Sequence, residues 1–124
     1  MEIYHILNRG VDKRKIFLDE RDYLRFIHDL FEFNDEEPVD NIFYYFKKSN
    51  QTSSKDTRNR KRKLIVTIHA FCLMPNHYHL LLSSISAKSI PKFMHKLNKG
   101  YSRYFNEKHE RTGTLFEGRY KSIA

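Results

Sequence analysis

A single cysteine in 124 residues, Cys72, excludes an internal disulfide. Its place in an apolar run predicts a buried, inert thiol rather than a nucleophile or a ligand. No run of eighteen apolar residues occurs, so no membrane-spanning helix and no membrane partner are expected. The amino terminus opens Met-Glu-Ile-Tyr-His instead of a basic and then apolar segment, which predicts no secretory signal and a cytoplasmic protein. Acidic residues are also in deficit: 15 Asp and Glu stand against 23 Lys and Arg, for a formal charge of +8. An excess of that size on a chain too short for two domains points to a polyanionic partner, most often nucleic acid.

Aromatic residues, in contrast, are plentiful, and 10 Phe with 8 Tyr can fill one modest core. Residues 3 to 8 read as a first strand, followed by a charged loop through Arg9-Gly10 and Asp12-Lys13-Arg14-Lys15. Asp19 with Asp22 makes a helix start, and Tyr23, Phe26, Ile27, Leu30 and Phe31 recur at helical spacing as a core stripe. The acidic stretch Asp35-Glu36-Glu37-Pro38 ends that helix. A short helix is expected over the aromatic cluster of Val39 to Lys48. The polar and then basic segment 49–63 cannot bury apolar surface and is expected to be a mobile insert able to track phosphates.

Lys63 to Leu73 reads as a strong strand that runs into a Pro75-Asn76 turn and a second strand from His77 to Ser83. His69 on the first of these is expected to be a hydrogen-bonded structural residue. Ser89 is expected to cap a long amphipathic helix whose apolar stripe is Ile90, Phe93, Met94, Leu97, Tyr101, Tyr104 and Phe105. Its outer face carries Lys92, Lys96, Lys99 and Arg103. Thr114 to Ile123 reads as a last strand. The order β-α-insert-β-β-α-β is that of a ferredoxin-like, RRM-like split βαβ, an α+β fold with an antiparallel sheet and helices on one face. The chain is thus expected to be a single domain over residues 1–124.

The second strand of the hairpin carries the chemistry. Successive side chains alternate across a sheet, so His77 and His79 project to one side while Tyr78 and Leu80 project to the other. Neutral imidazole is the commonest protein ligand for divalent transition metals, and such a pair can grip an ion while leaving positions open for water or substrate. A third donor has to come from elsewhere in the fold.

The stretch Leu73-Met74-Pro75-Asn76-His77-Tyr78-His79-Leu80-Leu81-Leu82 closely resembles the signature of the HUH transposases that use a single catalytic tyrosine, the insertion-sequence-200 and REP-associated kind. Tyr4-His5-Ile6-Leu7-Asn8-Arg9-Gly10 and Gly113-Thr114-Leu115-Phe116-Glu117-Gly118-Arg119-Tyr120-Lys121-Ser122 are similar to further words of that family. The 49–63 insert is where the chain departs from it, since the family connection is usually shorter. The resemblance implies metal-dependent cleavage and rejoining of single-stranded, hairpin-bearing DNA through a phosphotyrosine link, with Mg2+ or Mn2+ held by His77 and His79. It further implies a homodimer, and a polar third ligand and nucleophilic tyrosine on a helix that would begin near or beyond Ala124. Tyr120 is a weak candidate within the chain, and Tyr101 and Tyr104 are better read as core. Arg9, Lys13, Arg14, Arg60, Arg62, Lys96, Arg103, Arg119 and Lys121 are the residues expected to meet DNA. Two other classes remain open: a non-catalytic single-stranded nucleic-acid-binding module, and a generic ferredoxin-like interaction domain.

Overall fold

The computed structural model describes residues 1–37 and 62–124. Along the chain these form β1 (Tyr4–Arg9), a 3-10 turn (Val11–Lys13), α1 (Glu20–Glu32), β2 (Val66–Met74), β3 (His77–Ser84), α2 (Ser89–Lys108) and β4 (Lys121–Ile123). The sheet has the order β2-β3-β1-β4, and every neighbouring pair is antiparallel. This is the α+β, split βαβ arrangement that the element order predicts. The helix expected over Val39–Lys48 and most of the basic insert, Arg60 included, lie outside the described residues. No helix among the described residues is long and apolar enough to cross a membrane.

Alternation along the two central strands decides which face is covered. Ile6 and Asn8 on β1 stand opposite Leu80 and Tyr78 on β3, and all four are buried. The intervening residues His5, Leu7 and Arg9 stand opposite Leu81, His79 and His77 on the other face. Both helices pack on the Tyr78 side, where its ring meets Phe26 of α1 at 5.0 Å and its hydroxyl donates to Asn98 Oδ1 of α2 at 2.7 Å. The face bearing the histidines is left uncovered by the helices.

Asp19 caps α1 by accepting from the Asp22 backbone N–H at 3.0 Å. On the helix stripe, Phe26 and Leu30 are buried but Ile27 and Phe31 are exposed, so the apolar stripe is wider than the surface it covers. Asn34, just past the helix, accepts from the backbone N–H groups of Ile65 and Val66 at 2.9 Å and donates to the Val66 carbonyl, which satisfies the strand entrance as a neighbouring strand would. The stripe of α2 is buried throughout except for Tyr104, which is half-buried. Gly10 follows β1 because a Cβ there would lie 2.2 Å from the Arg14 carbonyl oxygen. Its backbone N–H donates to the Asn76 carbonyl and so locks the end of β1 to the β2–β3 turn.

Three expectations are corrected. Cys72 is exposed: it pairs with His79 in the ladder of a strand with no second neighbour among the described residues, on the face that neither α1 nor α2 covers. Ser89 is the first residue of α2 rather than its cap; the cap position is Lys88, at φ 65°, and the Ser89 hydroxyl accepts from the Ile85 backbone N–H instead. The last strand is only Lys121–Ile123, because Leu115 and Phe116 turn into the core and Gly118, at φ 74°, breaks the run.

Asp29 lies buried on α1, where burial pushes its carboxyl up to about 6 against the opposing pull of Arg25, whose Nε donates to Oδ1 at 3.0 Å. Because the folded state raises this pKa, the contribution to stability is full below about pH 4 and is lost as pH rises through 6, a change on the order of 2–3 kcal/mol. Asp29→Asn should therefore gain about 2 kcal/mol at pH 7.5 and almost nothing at pH 3.5, measured by urea unfolding at both values. An equal effect at both pH values would show that the buried charge is not the cause.

Candidate functional site

On the uncovered face the rings of His77 and His79 lie with centroids 5.0 Å apart and planes at 84°. Both are half-buried, because Tyr78 and Leu80 anchor the intervening backbone in the core. Asn76, in the turn before β3, accepts at Oδ1 from His77 Nδ1 at 2.8 Å. A third imidazole comes from β1: His5 Nε2 lies 2.8 Å from His79 Nδ1, with the two rings stacked at 5.0 Å. Burial, and after it the nearby His77 and His5, hold the pKa of His79 below its ordinary value.

The donor chemistry suits a borderline divalent cation. His77 and His79 each have one nitrogen engaged and the other, Nε2, without a hydrogen-bond partner among the described residues. No cluster of three or more His, Cys, Asp or Glu side chains that could hold a metal occurs among the described residues, so an ion held by this pair would need a further donor. Next to His5 and His79 is an open, mainly apolar groove of about 310 Å³ bordered by Phe71, Cys72 and Leu81. Arg9, which pairs with Glu117, and Lys121, opposite Leu7, stand on this same face.

A family model described as transposase, IS200 like, matches residues 44–124, a stretch that contains the whole β2–β3 hairpin, α2 and β4. The chain belongs to this family. A candidate transposase from Deinococcus radiodurans R1 has a similar fold, with a TM-score of 0.58 and 16% identity over 99% of this chain and 78% of that one. No curated protein matches.

Of the basic residues that the sequence of this IS200-like transposase points to, Arg9 and Lys121 share the face of the histidines, and Lys13 is exposed in the adjoining 3-10 turn. The others are placed differently. Arg14 lies over the Phe105 ring at 5.2 Å. Arg62 lies over Phe31 at 3.7 Å and donates to the Asn34 carbonyl, closing the carboxyl end of α1. Lys96 donates to the Asp35 carbonyl, Arg103 pairs with Glu107 along α2, and Arg119 borders a cleft beside α2 with His95 and Lys99.

The described tyrosines are all accounted for away from the histidine pair. Tyr101 donates to the Ile16 carbonyl and Tyr104 to Asp22, on the helix side of the sheet. Tyr4 donates to Glu2, and Tyr23 stacks on Phe17. Tyr120 packs against the core and borders the α2 cleft, with the sheet between it and His79. His69 accepts or donates at Nε2 to Ser83 Oγ at 2.9 Å beside a bulge in β2, the structural role expected of it. Sequence reasoning missed His5 and Asn76 as site residues. Both lay in quoted words of the chain, but Asn76 reads as a turn former and His5 reaches His79 only through the β1–β3 register.

Proposed function

We propose that this chain is the core of a single-tyrosine HUH transposase that, with Mg2+ or Mn2+, cuts and rejoins single-stranded, hairpin-bearing DNA through a phosphotyrosine link. The reading rests on one observation: two adjacent imidazoles, each engaged at Nδ1 only among the described residues, stand on the sheet face that α1 and α2 leave uncovered, beside Arg9 and Lys121. His77 and His79 would hold the ion. A bound ion would supply Lewis-acid polarisation of the scissile phosphate. Arg9 and Lys121 attract the DNA backbone and align it along β1 and β4, and Glu117 restrains Arg9 until a phosphate displaces it. The apolar groove beside His79 gives an unpaired base or sugar a dry surface to rest on. The attacking tyrosine and the third ligand are expected on a helix that follows Ala124, and the active form is a cytoplasmic homodimer.

A second reading, a module that binds single strands without cutting them, is supported by the placement of every described tyrosine away from the pair. An adduct assay separates the two. The 124-residue chain should bind a labelled hairpin-bearing single strand more tightly than a duplex of the same length. Appending a family helix with its tyrosine after Ala124 should then yield a Mn2+-dependent covalent protein–DNA adduct that EDTA abolishes. Tight binding without any adduct from the extended chain would favour the binding module, and equal affinity for the duplex would overturn both.

A further inference from the structure

The uncovered face holds one more arrangement that the transposase reading leaves unused, the way each histidine of the pair is held from behind. For His77 the hydrogen-bond direction is settled by its neighbours. Asn76 Nδ2 donates to the Lys13 carbonyl at 3.4 Å, which orients the amide so that Oδ1, a pure acceptor, faces His77 Nδ1. The proton of a neutral His77 is therefore on Nδ1, and Nε2 carries the free lone pair.

His79 has no such amide. At 2.8 Å from its Nδ1 stands the Nε2 of His5, an atom that can donate or accept according to tautomer. If His5 donates, the proton of His79 sits on Nε2 and blocks it. If His5 accepts, Nε2 of His79 is left bare in the same state as that of His77. His5 is itself held by the sheet: it pairs with Leu81 on one side and Ile123 on the other, between the buried Ile6 and the half-buried Tyr4. Its Nε2 faces His79 Nδ1 at 2.8 Å, an engagement that a bond from the same nitrogen to a metal would break.

We propose that His5 is a positioning residue for the metal site, accepting at Nε2 from the Nδ1–H of His79 as Asn76 Oδ1 accepts from His77, so that both histidines present Nε2 to one ion. The inference rests on the proposed assignment of His77 and His79 as ligands. Its physical basis is general: a ligating imidazole that donates its other N–H has a set tautomer and orientation and is a stronger donor to the metal, and loss of such a partner typically costs about 10- to 100-fold in affinity.

The test is Mn2+ binding by calorimetry on the 124-residue chain, with pulsed EPR to count coordinated imidazole nitrogens. His5→Ala should weaken binding by about 10- to 100-fold. His5→Gln, whose amide oxygen can accept at the same place, should restore most of it and should keep the fold if the alanine variant does not. The wild type and His5→Gln should both show two coordinated nitrogens. Unchanged affinity in His5→Ala, together with loss of binding in His77→Ala, overturns the positioning role alone. Three coordinated nitrogens in the wild type, falling to two in His5→Gln, also overturn it, by making His5 a ligand. Mn2+ binding that is indifferent to His77 and His79 overturns the ligand assignment itself.

Discussion

Replacing His77 and His79 together by alanine is expected to abolish measurable Mn2+ binding while moving the melting temperature by no more than about 3 °C. The two halves of this expectation come from opposite faces of the same strand. Tyr78 and Leu80 hold β3 in the core, where they are fully buried and where Tyr78 meets Phe26 and Asn98. The histidine rings on the other face meet each other, His5 and Asn76 across an open surface. Removing them leaves no cavity beneath the helices. For the metal, each lost ligand should cost more than the roughly 10- to 100-fold that a lost outer partner costs, so a double loss exceeds about 100- to 10,000-fold. Calorimetry with Mn2+ and thermal unfolding on the same samples check both parts. Retained binding would put the ion elsewhere, and a large fall in melting temperature would mean that the rings are structural.

What could be read in the sequence was what repeats locally. The period of two along His77–Leu82 placed the histidines on one face, and the period of three and four along α2 placed its buried stripe, because both depend only on backbone geometry. Asp19 was legible as a cap for the same reason. The rest depends on neighbours far along the chain. Cys72 looked buried because an apolar run does not reveal which face of its strand α1 and α2 cover. His5 is 74 residues from His79 and meets it through strand register alone. Arg62 and Lys96 read as phosphate contacts, and the sequence does not show that their long side chains also reach Phe31 and the carbonyls of Asn34 and Asp35, groups left open where α1 ends. Charge counts say how many cations there are, but not which of them are already engaged.

Asp22→Ala is expected to be strongly destabilising, costing about 3 kcal/mol or more. Asp22 is fully buried, which by itself would raise its pKa, but the backbone N–H of Leu18, Lys108 Nζ, Tyr104 hydroxyl and His109 Nε2 all point at its two oxygens and together hold it down at about 2. The cluster ties the first turn of α1 to the last turn of α2, and a carboxylate at a helix amino end beside a lysine at a carboxyl end also suits both helix dipoles. Alanine leaves a hydroxyl, a backbone N–H and an imidazole facing a void, although Lys108 keeps Asp19 at 2.7 Å. Because the folded pKa lies below the unfolded value of 3.8, the carboxylate's share of stability, about 2 kcal/mol, is full above pH 4 and is lost as pH falls toward 2. This is the reverse of Asp29. Asp22→Asn, which keeps the shape, should lose about that amount at pH 7 and show a flatter decline between pH 4 and 2 than the wild type. Urea unfolding across that range decides it: an alanine variant within about 1 kcal/mol of the wild type at pH 7 would mean that the four donors are as well satisfied by water, and that the two helix ends are held by packing alone.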